Sequence, residues 1–214
     1  MKPTINEIEK AKKIVEGLVA HGFLDIVRRE DTCGLYNWAD DNRKYLKEEG
    51  IKTAYGETKF CIIPDILPDW VIKVGCNYYD EDICSKITDF CHIELTNFES
   101  AVEEDLDEFF AAIYELCVID DVTFYIQERA APDEEKTTDS CREYMGYKDE
   151  PDEDEEEYVD PNFDDYDRVE SLFHGPKLEE LFSFIDRWHI NDLHEGNFGF
   201  TVSGVPKIID YSGY

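Results

Sequence analysis

The spacing of apolar positions changes several times along the chain, and each change predicts an element. Ile5, Ile8, Lys12, Val15, Leu18 and Val19 fall close to one stripe at helical spacing. With Gly22 at a suitable stop, residues 5–21 are expected to form an amphipathic packing helix. A more polar helix is expected from Asn37 to Glu49, closed by Gly50. From about Thr53 to Val74 the chain turns to Tyr, Phe, Ile and Val separated by turn residues, which predicts a small meander of strands. Phe60–Ile63 and Trp70–Val74 are its clearest strands. Between Ile87 and Tyr114 three- and four-residue steps return through Ile93, Phe98, Ala101, Val102, Leu106, Phe109 and Phe110, predicting two helical segments. Val118 and Val122–Gln127 read as strands again. Leu178, Leu181, Phe182, Ile185 and Trp188 predict a helix, followed by a polar loop and two short strands around a Ser203-Gly204 turn.

Length and composition then limit the classes. A chain of 214 residues, 42% apolar, suits one domain over residues 1–214 with a helical N-terminal extension over residues 1–52. No run of about eighteen apolar residues is present, and Met1 to Ile5 lack the pattern of a secretory leader. A cytoplasmic protein with no membrane partner is expected. The seven cysteines include no C-x-x-C pair, and Cys76, Cys84 and Cys91 follow no metal-ligand spacing, so reduced thiols are expected. The formal charge of -31 argues against a surface built to neutralise nucleic-acid phosphates. From Asp133 to Asp167 there are seventeen acids and three bases, about half of that charge. Such blocks repel themselves, so residues 131–167 are expected as a flexible acidic insertion, available to a basic protein partner.

The stretch richest in chemistry is Ile190-Asn191-Asp192-Leu193-His194-Glu195-Gly196-Asn197-Phe198-Gly199, followed by Lys207-Ile208-Ile209-Asp210-Tyr211-Ser212-Gly213. Asn197 lies five residues after Asp192, and Asp210 thirteen after Asn197. In wording and spacing this resembles the protein-kinase-like superfamily, with its H-R-D-L-x-x-x-N catalytic loop and D-F-G turn. The D-L-H-x-G-N form is similar to the small-molecule branch, such as aminoglycoside and choline kinases. The resemblance implies Asp192 as the base that accepts a hydroxyl proton, and Asn197 and Asp210 as ligands of Mg²⁺, which takes hard oxygen donors and bridges the phosphates of ATP. His194 is expected to stabilise the loop.

The resemblance extends upstream, over roughly residues 53–214. Trp70-Val71-Ile72-Lys73-Val74 is similar to the V-A-I-K strand, which implies that Lys73 holds the phosphates and pairs with a helix glutamate. Glu94, twenty-one residues on, is the expected partner, with Glu99 as the fallback. Gly56 and Thr58, in the turn between the first two strands, would cover the phosphates, although only one of the family's three glycines is present. Glu128 and Ala130 occupy the order of the hinge that receives adenine. The fold implied is α+β: a protein-kinase-like N-lobe sheet with its helix, and a minimal C-lobe of catalytic helix, catalytic loop and β-hairpin.

The sequence also departs from the family. Ile190 and Asn191 replace the His and Arg of the catalytic loop, and neither an activation segment nor an A-P-E motif follows Asp210 within this sequence. The expected function is therefore an ATP- and Mg²⁺-binding phosphotransferase with an unknown acceptor, compact and C-terminally truncated. The alternative is a non-catalytic pseudokinase, or an acidic, DNA-mimic-like protein that binds a basic partner.

Overall fold

In the computed structural model, the first helix, α1 (Ile5–Ala20), opens with a capping box. The Glu7 N–H donates to Thr4 Oγ1 at 3.3 Å, and the Thr4 N–H donates to Glu7 Oε2 at 2.6 Å. The Thr4 hydroxyl, which donates to Glu7 Oε2 at 2.7 Å, and then the Thr4 N–H hold the Glu7 carboxyl below its ordinary range. The helix stops before Gly22, whose φ of +77° is the left-handed conformation a helix end favours. Ala11, Val15 and Leu18 are buried while Ile5 is exposed, so the buried stripe starts further along than the apolar spacing suggested. The single helix expected over residues 37–49 is two, α3 (Thr32–Asp41) and α4 (Arg43–Glu48), preceded by the short α2 (Phe23–Arg28). The structure describes residues 1–28, 32–56, 58–75, 89–145, 163–191 and 193–212.

The fold is α+β, and the chain divides into two compact units. The first comprises Met1–Phe98 and Ala112–Arg129. Its centre is a five-stranded antiparallel sheet made of β1 (Ile51–Tyr55), β2 (Lys59–Pro64), β3 (Trp70–Gly75), β4 (Ile113–Ile119) and β5 (Val122–Glu128), in the order β1-β2-β3-β5-β4. Alternation sends Phe60, Ile62, Ile72, Val74, Phe124 and Ile126 to one face. There they join Val15, Leu18, Phe23, Leu24 and Trp38 of the N-terminal helices in a single core. Lys59, Lys73 and Tyr125 lie on the opposite face. Asp120 and Asp121, at φ 49° and 68°, make the tight turn between β4 and β5.

Helix α5 (Phe90–Glu103) follows β3. The helical reading of residues 87–114 is corrected at its end. Asp105 takes a left-handed φ of 60°, Asp107–Phe109 form one 3₁₀ turn, and Tyr114 belongs to β4, paired with Ile126. The spacing of Phe109 and Phe110 mimicked a helix because both aromatics are buried, although they sit on a turn.

The second unit comprises Glu99–Ala111 and Ala130–Tyr214. A small antiparallel sheet of β6 (Ala131–Pro132), β7 (Phe198–Phe200) and β8 (Pro206–Ile208) accompanies helices α6 (Glu134–Met145), α7 (Asp165–Leu172) and α8 (Leu178–Arg187). Its core gathers Phe110, Leu181, Phe184, Phe198, Ile208 and Tyr211, with the Phe110 ring tilted against Phe184 at 5.5 Å and edge-on to Tyr211 at 5.0 Å. Part of the acidic stretch expected to be flexible is regular helix. Asp133 caps α6 by accepting the Lys136 N–H at 3.0 Å, and Thr137 and Cys141, four residues apart, are fully buried. Counting acids concealed this stripe, since α6 carries its charges on the other faces. Cys141 Sγ meets Ser171 Oγ of α7 at 3.2 Å. Among the described residues no helix is long and apolar enough to cross a membrane.

Candidate functional site

Strand β3 is apolar on both sides of Lys73, so the pleat carries this lysine to the sheet face that α5 covers. Its Nζ donates to Glu94 Oε1 at 3.2 Å and to Oε2 at 3.0 Å. Lys73 is 5% exposed and Glu94 is fully buried, so the pair is a desolvated, charge-assisted contact between a strand and the helix that follows it. Glu99 is exposed on the same helix, so the partner is Glu94. A second lysine reaches the same carboxylate: Lys59 Nζ, on β2, donates to Glu94 Oε1 at 2.9 Å and is 4% exposed.

The start of α5 is fixed from the sheet. Asp89 Oδ1 accepts the N–H groups of Cys91 and His92 at 3.0 and 3.3 Å, and the Tyr125 hydroxyl donates to Asp89 Oδ2 at 2.6 Å. Burial and then the Asp89 hydrogen bond raise the Tyr125 phenol far above its ordinary range, so it remains a donor. Burial and then the Glu94 charge push the Cys91 thiol well above its usual value, which leaves it protonated and unreactive. The turn after β1 places Gly56 exposed and Thr58 half-buried, and the Gly56 N–H donates to Lys59 O at 2.9 Å. At the end of β5, Glu128 uses its N–H on Ala112 O at 2.7 Å and accepts the Ala112 N–H on its side chain at 3.3 Å.

In the second unit, Ala130 is nearly buried where the chain enters β6. A Cβ on Gly199 of the neighbouring β7 would lie 2.6 Å from Ala130 O, so this close approach requires glycine. Asp192 lies outside the described residues. Beyond it, His194 opens a 3₁₀ turn (Glu195–Asn197) by accepting the Gly196 N–H on Nδ1 at 3.0 Å, a loop-holding part. The turn runs into the β7–β8 hairpin, in which Phe198 pairs with Ile208. The Ile209 N–H donates to Asn197 O at 2.9 Å, which sets the backbone of Asn197 beside Ile209 with Asp210 next in line. Two bonds anchor the returning strand: Ala111 N–H to Ile208 O at 2.9 Å, and the Tyr211 hydroxyl to Ala111 O at 2.6 Å. Asn197 and Asp210 are both half-buried, and the Ser212 hydroxyl donates to Asp210 Oδ1 at 3.3 Å.

An amide oxygen and a carboxylate on one hairpin are the hard donors Mg²⁺ accepts, with phosphate and water able to fill the other positions. No cluster of three or more His, Cys, Asp or Glu suited to a metal occurs among the described residues.

Sequence reasoning missed two residues here. Lys59 was placed only at the end of the phosphate-covering turn because the strand was read from Phe60 onward, yet alternation from Phe60 and Ile62 would have assigned it to the Lys73 face. Arg168, on α7, grips Glu195 of the loop through Nε at 2.9 Å and Nη2 at 2.8 Å. Burial opposes ionisation of Glu195, but hydrogen bonds within the turn and from Arg168 outweigh it and hold the carboxyl below its ordinary range. Its signal was hidden at the edge of an acid-rich stretch. No protein-family model matches the chain, and no curated protein is similar enough to match it.

Proposed function

We propose that this chain is a kinase-like, ATP- and Mg²⁺-binding protein that transfers a phosphoryl group to an unidentified acceptor. The observation that carries the reading is the buried Lys73–Glu94 pair, which ties the third strand of an antiparallel sheet to the following helix. A lysine held this way offers a fixed positive charge to phosphate oxygens, and fixed charge needs no rearrangement during the reaction. Asn197 and Asp210 would supply the oxygen ligands of Mg²⁺, whose charge would offset that of the phosphates. Asp192 would take the proton of the acceptor hydroxyl as its oxygen bonds to the γ-phosphorus and ADP leaves. Gly56 and Thr58 would cover the phosphates, and Glu128 and Ala130 would border the adenine.

The test is calorimetric titration of ATP, with and without Mg²⁺, into the wild type and Asp210→Ala. Mg²⁺-dependent binding by the wild type and its loss in the variant are expected. Absence of binding by the wild type would overturn the reading.

One observation favours a second reading, a non-catalytic protein that engages a basic partner: 52 acids stand against 21 bases. On that reading, capture of a basic protein weakens steeply with salt and survives loss of Lys73 or Asp210. Capture that persists at high salt would remove the electrostatic argument.

A further inference from the structure

We infer that Lys59 is a second phosphate-binding lysine, acting with Lys73 on the same polyphosphate chain; this rests on the nucleotide-binding reading above. The register of the sheet makes the two lysines neighbours. Cys61 stands opposite Lys73 and Lys59 opposite Gly75, so the lysines are diagonal partners on adjacent strands and project from the same face. Both ammonium groups donate to one oxygen, Glu94 Oε1, at 2.9 and 3.2 Å. Glu94 thus holds both lysines at one point of the sheet face rather than serving a single partner.

Burying an ammonium group costs several kcal/mol, and placing a second beside the first adds repulsion. Two converging ammonium groups match a ligand with several adjacent negative charges, such as the triphosphate of a nucleotide. The position of Lys59 agrees with this. It is the first residue of β2, directly after the turn bearing Gly56 and Thr58, and its own carbonyl accepts the Gly56 N–H at 2.9 Å. The turn assigned to covering the phosphates is therefore anchored on the backbone of Lys59.

The test compares Mg·ATP and adenosine binding to the full chain by calorimetry for the wild type, Lys59→Met, Lys73→Met and the double variant. Each single variant should weaken ATP binding about tenfold or more, the usual consequence of losing one charge-assisted hydrogen bond. The double variant should lose more than either, while adenosine binds all four proteins equally. A Lys59→Met protein that binds ATP as tightly as the wild type, while Lys73→Met does not, overturns the inference and leaves the nucleotide reading standing. Equal weakening towards ATP and adenosine also overturns it, since a purely structural lysine would act on both ligands. A wild type that binds no Mg·ATP brings down both.

A second measurement does not depend on the variants folding. The wild type is treated with an acyl-phosphate derivative of ATP, which transfers its acyl group to a nearby lysine amine with ATP as the leaving group, and labelled peptides are read by mass spectrometry. Acylation at both Lys59 and Lys73, suppressed by excess ATP, is expected. Labelling of Lys73 alone counts against the inference.

Discussion

The two units hold their candidate groups in opposite ways. In the first, Lys59, Lys73 and Glu94 are buried charges that fix one another, and Asp89 and Tyr125 tie the start of the helix to the sheet. In the second, Asn197 and Asp210 are half-buried, and backbone hydrogen bonds of the β7–β8 hairpin set their positions. A buried ionic cluster serves as both architecture and chemistry, so it cannot be altered without cost to the fold. A hairpin separates the two, because its ladder persists when a side chain at its end changes.

The largest effect should come from Glu94→Gln, which keeps the shape of the side chain but removes the charge between two buried ammonium groups. A loss of about 3–5 kcal/mol is expected in urea unfolding, as for a broken buried pair. A loss below about 1 kcal/mol would mean the cluster is not architectural and would break the comparison. Next is Gly199→Ala in the second unit. The new methyl would stand 2.6 Å from Ala130 O and 2.8 Å from its carbonyl carbon, both backbone atoms. Since backbone yields less readily than a side-chain tip, about 3 kcal/mol of destabilisation is expected, measured in the same way. An unchanged midpoint would show that β6 is not held where the register places it.

The contrast also explains what was legible in the sequence. Strands β2, β3 and β5 could be anticipated from runs of β-branched and aromatic residues, and the β7–β8 hairpin from short apolar pieces flanking Ser203-Gly204. The pairing of Lys73 with Glu94 was anticipated only through the resemblance of Trp70–Val74 to the V-A-I-K strand, which implies a glutamate on the next helix and left Glu99 as a second choice. The face of Lys59 was legible by alternation from Phe60 and Ile62, but its place beside Lys73 was not, because that depends on a cross-strand register that no local pattern states. The first residues of β4, Ile113 and Tyr114, were read as helix because turn aromatics imitated a helical stripe, and the left-handed Asp105 that ends the helix has no strong signal. Helix α6 was concealed by its charge, although two buried residues four apart suffice to dock it. Charge density reports on solvation, and it says little about whether one face can still be covered.

Smaller effects sharpen the comparison. Tyr125→Phe removes a 2.6 Å hydrogen bond to the Asp89 carboxylate, for which about 2 kcal/mol is expected. The pH dependence has a definite sign. Burial and the Asp89 bond raise the phenol above its ordinary 10.0, so the folded state binds that proton more tightly than the unfolded chain. Its contribution is complete below about pH 10 and declines as pH rises further, when the unfolded chain ionises first. The difference in unfolding free energy between wild type and Tyr125→Phe should therefore be smaller at about pH 11 than at about pH 8. A difference that is constant, or that grows with pH, would mean the hydroxyl is not the buried donor described.

The smallest effect on stability is expected for Asp210→Asn, and it bears most directly on the comparison. The substitution keeps an oxygen that can accept the Ser212 hydroxyl and leaves three other contacts intact: Ile209 N–H to Asn197 O, Ala111 N–H to Ile208 O, and Tyr211 hydroxyl to Ala111 O. Urea unfolding should move by less than about 1 kcal/mol, the range for half-exposed polar changes that leave packing alone. A shift as large as that of Glu94→Gln would place Asp210 in a load-carrying network of its own, and the difference between the two units would disappear. A small shift would mean that Asp210 is free to be judged by ligand binding alone, because any loss of Mg²⁺-dependent affinity could not then be attributed to unfolding.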